Sequence, residues 1–206
     1  MPIVTKNISH GYVFVNGGTR LTLAQLLSLT PTYSSDLVIS NSGEVRIGCS
    51  SFGNNDKYDT IELTSFTFDL TSIPAGSSIN SVSLGIYINI RYTNYGSLIV
   101  DKDNANFSVV NPYSASFVPI VGTNTIPLNL NLTDISSQFG VGSFVACVKF
   151  STYPAWQAGS YIGISSINPN NPNGAALTID YTAGPNAPIA DAATLITHNS
   201  FSANWH

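Results

Sequence analysis

Charge is what this chain has least of. Asp, Glu, Lys and Arg make up 9% of its 206 residues, against about a quarter in an ordinary soluble domain. Ser, Thr and Asn carry the polar surface instead, a chemistry suited to extracellular or particle-borne proteins. The seven Lys and Arg are dispersed and the formal net charge is −4. Nucleic-acid binding needs basic side chains gathered against the phosphates, so it is not expected. Histidine is equally sparse, with His10, His198 and His206 all in the terminal segments. A serine or cysteine nucleophile needs a base beside it, and no G-x-S-x-G, S-x-x-K or H-E-x-x-H motif occurs. An enzyme is therefore not expected. No apolar run approaches the roughly 18 residues that cross a bilayer as a helix, so membrane insertion is not expected either. Met1 to His10 also lacks the charged lead and apolar stretch of a secretory signal. Either a signal has been removed ahead of this start or the chain leaves by another route, such as virion assembly and host lysis; the second is the expectation.

Only two cysteines occur, Cys49 and Cys147, each inside a strand-like run. Without a C-x-x-C or a nearby His they are not placed for zinc or redox chemistry. A disulfide closing so long a loop would stabilise by about 4 kcal/mol. Two separately buried thiols are the alternative.

What is abundant is strand pattern. From Ile79 to Arg91 the chain alternates, with Val82, Leu84, Ile86, Ile88 and Ile90 on one face and Ser83, Gly85, Tyr87, Asn89 and Arg91 on the other. Phe144, Ala146, Val148 and Phe150 share a face in the same way, with Lys149 opposite. Further strands are expected at 37–40, 44–49, 61–70, 98–100, 108–110, 125–130, 161–165 and 176–181. Gly, Asn and Pro punctuate them, as at 41–43, 53–56, 74–76 and 168–174. The expected fold is all-β: an antiparallel two-sheet sandwich, its roughly ten strands suiting a jelly roll.

The one helical pattern lies in the lead-in, residues 1–34. Thr22 and Gln25 have capping-box spacing, and Pro31 ends the segment. So short a helix must dock its Leu23, Leu26 and Leu27 on something, either the adjoining sandwich or a partner subunit. The sandwich is expected over 35–182, and 183–206 opens with a stiff linker of small residues and proline.

Three stretches resemble the DNRLRE-type domain, related to family-96 carbohydrate-binding modules. The first runs from Glu62 to Tyr87 (ELTSFTFDLTSIPAGSSINSVSLGIY), the second from Leu130 to Phe139 and on through Phe144–Phe150. The third comprises Ser165 to Pro169 and Ala176 to Tyr181. Thr67 stands where that family often has Arg, and Ile167 and Asn168 where an acidic residue is usual, so the resemblance implies the fold alone. Beyond it, Asn186 to Ala190 (NAPIA), Ala193 to Thr197 (ATLIT) and Ser200 to Trp205 (SFSANW) resemble the first strands of a fibronectin type III module. That likeness implies a longer, modular protein of the kind carried on bacterial surfaces and by their phages. The first motif also has a local reason. Asp69 and Ser72 can bond turn amides, while Pro74 and Gly76 suit a tight turn.

Candidate sites follow from residue chemistry. Trp156, Tyr153, Tyr113, Tyr92 and Tyr95 fall in loop-like stretches and are the candidates for stacking on a cell-surface glycan. Asp101, Asp103 and Asn104 form an oxygen-rich turn, the candidate for a structural calcium, as do Asn54 to Asp59; no other cofactor is expected. The expected role is that of a structural display module on a virion surface, with other copies and other virion proteins as partners. The alternative is a carbohydrate-binding module of a secreted or bacterial cell-surface protein.

Overall fold

The structure, a computed structural model, describes residues 6–14, 21–34, 44–50, 60–91, 96–102, 105–129, 135–151, 160–165 and 175–184. In chain order its elements are β1 (Lys6–Phe14), α1 (Leu23–Leu27), β2 (Thr32–Ser34), β3 (Glu44–Ser50) and β4 (Thr60–Asp69). They continue with β5 (Ser78–Arg91), β6 (Leu98–Asp101), β7 (Gly122–Pro127), β8 (Ser143–Phe150), β9 (Ser160–Ser165) and β10 (Ala176–Thr182). Every strand pairing is antiparallel.

The long alternating run becomes β5, whose Val82, Leu84, Ile86 and Ile88 are buried while Ser81 and Asn89 are exposed. One edge of β5 pairs with β7 over Ser83–Ile88. Because β7 and β10 both pair at 83–85, they hold opposite edges. The β10 edge is then continued by β9 from Ile88 to Arg91. The same device recurs at β4. Its first edge is occupied by β1 over the whole of 60–68. Its second is shared end to end by β3, at 60–62, and β8, at 64–69.

Hydrogen bonding thus runs unbroken through ten strands, yet side-chain packing separates two layers. One layer is β2-β1-β4-β8-β6 and the other β7-β5-β10, with the β3–β9 pair joining them where β4 begins and β5 ends. Phe66, Phe68, Phe144, Ala146 and Val148 of the first layer pack against Val82, Leu84, Ile86, Ile126, Leu177 and Ile179 of the second. The molecule is an all-β sandwich of two antiparallel sheets.

A smaller cluster lies outside the first layer. Ile61 and Leu63, on the opposite face of β4 from Phe66, are fully buried with Leu26, Phe107 and Cys147. The helix is closed by the capping box read from the sequence. The Gln25 amide donates to Thr22 Oγ1 at 3.3 Å, and the Thr22 amide to Gln25 Oε1 at 2.9 Å. Leu26 is buried, and Leu23 and Leu27 pack partly buried around it. The leucines considered for a partner subunit therefore cover the chain's own sheet, because Ile61 and Leu63 would otherwise stand in water.

The cysteines do not meet. Cys49 stands opposite Ile61 and Cys147 opposite Ser65 along the same edge of β4. The four-residue offset spans about 13 Å, whereas a disulfide bridges Cα atoms at most about 7 Å apart. Two local expectations also change. The expected strand at 108–110 is irregular, since the Val110 amide donates to Asp101. A strand not foreseen forms at Thr32–Ser34, pairing with β1. The expected strand at 37–40 lies outside the described residues.

Leu26→Ala should lower unfolding free energy by about 2–5 kcal/mol, as for other buried leucines. Leu29→Ala, two residues beyond the helix and 36% exposed, should change it by about 0.5 kcal/mol or less. Urea denaturation of both variants checks the docking, and equal losses would contradict it.

Candidate functional site

The charged centre of the described structure lies where β6 and β8 pair. Asp101 stands opposite Cys147 and Ile99 opposite Lys149, so the carboxylate and the ammonium are diagonal neighbours on the outward face of the first layer. Both side chains are 0% exposed, with Lys149 Nζ 3.8 Å from Asp101 Oδ2. Lys149 Nζ donates to the Ser108 carbonyl at 3.0 Å. Asp101 Oδ2 accepts the Val110 amide at 2.7 Å and Oδ1 the Asn111 amide at 3.2 Å. The two charges thus clasp the 105–111 loop from both sides, and Phe107 of that loop seals the second apolar cluster.

This geometry corrects the calcium assignment at Asp101. A cation there would face an ammonium 3.8 Å away and would have to displace main-chain donors from both carboxylate oxygens. Asp103, Asn104 and the cluster at 54–59 lie outside the described residues. Among the described residues, no three His, Cys, Asp or Glu side chains are grouped as metal ligands.

Tyr113 is corrected as well. It is 6% exposed and lies in the main core, its ring 5.1 Å from that of Phe144. The cause is main-chain pairing, since its amide donates to the Val100 carbonyl at 2.7 Å and draws the segment along β6. It offers no face to a sugar. Tyr92, Tyr95, Tyr153 and Trp156 lie outside the described residues.

The turn after β4 matches its local reading at Asp69 and Gly76. Asp69 Oδ1 accepts Thr71 Oγ1 at 2.7 Å and the Thr71 amide at 2.9 Å. The Ser77 amide donates to the Pro74 carbonyl, closing a turn in which Gly76 takes φ 79°. The Thr71 hydroxyl, and after it the Thr71 amide, hold the Asp69 carboxyl below the usual carboxylate range.

Sequence reading missed a groove of about 430 Å³ between the 115–120 strap and β7, lined by Phe117, Val118, Ile120, Thr123, Thr125 and Pro127 among others. None of its lining residues ionises. Such a groove can bury apolar surface and present main-chain groups, and its lining holds no ionisable side chain to activate the Ser116, Thr123 and Thr125 hydroxyls. The available signal was the absence of any charged residue from Asn104 to Thr133.

No protein-family model matches the chain, and no curated protein matches it. The DNRLRE-like and fibronectin-like stretches stand as likenesses of motif.

Lys149→Met keeps the side-chain volume but strands a buried carboxylate, and should cost about 3–5 kcal/mol in urea denaturation. Adding Asp101→Asn removes the stranded charge and should recover part of that loss. At Asp69 the folded-state pKa is depressed, so its contribution to stability is present above the unfolded-state value and fades as pH falls through the folded one. Thr71→Ala should move the Asp69 carboxyl midpoint upward toward the ordinary value in a carbon-detected NMR titration. An unmoved midpoint would show that the Thr71 hydroxyl is not the cause.

Proposed function

We propose that this chain is a non-enzymatic display module of a phage virion, part of a fibre or decoration protein that anchors to the particle and presents adjoining modules to a host surface. The observation that carries the reading is how the described polar groups are used. The buried charges hold a loop in place, and the groove is neutral and apolar. The design favours contact over bond chemistry. The charge-poor surface and the fibronectin-like stretch at 186–205 support a modular, particle-borne setting. Among the described residues, no helix is long and apolar enough to cross a membrane. The partners in this reading are further copies of the chain and other virion proteins.

Immunogold labelling of density-gradient fractions from lysed producing cells tests the setting. Label on particles is the expected outcome. Label confined to cell envelopes or to particle-free medium would replace this reading with that of a secreted or cell-surface module.

A further inference from the structure

Four strands have an edge left without a strand partner among the described residues: β2, β10, β7 and β6. Sheets guard such edges with short strands, bulges or charges, because an open row of main-chain donors and acceptors templates another strand. β2 is three residues long. β10 carries Asp180 and a register shift between Asp180 and Tyr181. β7 has no bulge in its pairing with β5 and no charge. The outer edge of β6, by contrast, is covered by the 111–117 segment, through reciprocal bonds between Leu98 and Phe117 and the Tyr113 amide on Val100.

The main-chain pattern of β7 can be read from its ends. The Leu128 amide donates to the Val82 carbonyl, so positions 126, 124 and 122 also turn their main-chain groups toward β5. Positions 123, 125 and 127 turn theirs outward. The next outward position agrees, because the Asn129 amide donates to the Tyr113 carbonyl, two residues before the strap. The chain before the strap follows β6 in the facing layer, and among the described residues no strand pairs with the outer edge of β7, whose Thr123, Thr125 and Pro127 line the groove. Val118, Ile120 and Val121 stand beside it, 67%, 56% and 60% exposed.

We propose that β7 pairs edge to edge with β7 of a second copy of this chain, antiparallel about a twofold axis through Thr125. The register is self-complementary. Each Thr125 amide meets the Thr125 carbonyl of the other copy, and each Thr123 amide meets the Pro127 carbonyl. Pro127 has no amide to leave unpaired. An isologous contact needs a surface that matches itself under a twofold axis, and an antiparallel edge supplies one. A partner with charged side chains would gain nothing from a face drawn from the uncharged 104–133 stretch. A second copy brings an identical uncharged face, so two chains of net charge −4 approach there with little repulsion. The inference locates the self-association contained in the proposed function, and the virion assignment can fail without affecting it.

Sedimentation velocity of the chain from nanomolar to high micromolar, with amide hydrogen exchange at both extremes, tests it. The expected result is a monomer–dimer equilibrium in which the Thr123 and Thr125 amides gain protection as the dimer forms. Thr125→Pro deletes two intermolecular bonds while sparing the β5–β7 ladder, and should raise the dissociation constant about thirtyfold. Thr123→Lys with Thr125→Lys, at exposed side chains, should abolish the dimer with an unchanged melting midpoint, and it carries the test if the proline variant does not fold. A monomer at all concentrations overturns the proposal. So does a dimer that survives the lysine variant, which would leave self-association standing and move it to another surface.

Discussion

β4 holds the two layers of apolar packing together, because it is buried on both faces and paired along both edges. Its Phe66 and Phe68 enter the main core, while Ile61 and Leu63 enter the outer cluster beneath α1. Burying each such side chain stabilises by about 1.5–3 kcal/mol, so the strand cannot shift without losing contacts on both sides. Its second edge passes from β3 to β8 near Leu63, and this handover lets one layer bend into the other. Thr64 and Ser65 sit at that point, fully buried. The Ser65 hydroxyl has no hydrogen-bond partner among the described residues, a cost of about 1–3 kcal/mol. The apolar neighbours on either side are large enough to offset it.

The electrostatics follow from the same geometry. In a chain this poor in charge, a fully buried Asp–Lys pair contributes more to the choice of structure than to its depth. Pairing two ions in a dry interior returns little net energy against solvation. Register is another matter. Slipping β6 by one residue against β8 would turn Asp101 from the outward face into the space among Phe144, Val148 and Phe150. There it would lose the Val110 and Asn111 amides and the Lys149 ammonium together. The pair thus penalises the wrong register heavily while costing the right one little.

How much could be read from the sequence depended on how local the cause was. The alternation of β5, the Thr22–Gln25 capping box and the Asp69 turn all arise from residues a few positions apart, and each appears in the structure as read. Where the cause was long-range, reading failed. Ser108–Val110 has the composition of a strand, but its main chain is bound by side chains from β6 and β8. Lys149 alternates outward, yet alternation names a face without telling whether a loop will cover it, and here the loop carrying Ser108 meets its ammonium. Tyr113 follows Pro112 in a loop-like stretch, and only its pairing with Val100 shows it to be core. The uncharged stretch from Asn104 to Thr133 marked the surface that the groove uses, but not its concavity, which arises where the strap and β7 diverge.

The management of strand edges links this architecture to what the molecule can do. A two-layer sandwich solves its interior with apolar faces and leaves its sides as the remaining difficulty. Here the β3–β9 pair closes one side by joining the layers. The 111–117 segment closes the edge of β6 through main-chain bonds to Leu98 and Val100. Holding that segment on β6 draws Tyr113 into the core and leaves Val118, Ile120 and Val121 of its continuation exposed beside β7, with Pro119 buried between them. Among the described residues, the edge of β7 is thereby left without a strand partner. The clasp that orders the loop also contributes, since Asp101 fixes Val110 and Asn111 immediately before the segment begins. The buried ion pair and the uncharged groove are in this sense consecutive consequences of one chain path, the charges inside fixing the loop that leads to the groove outside.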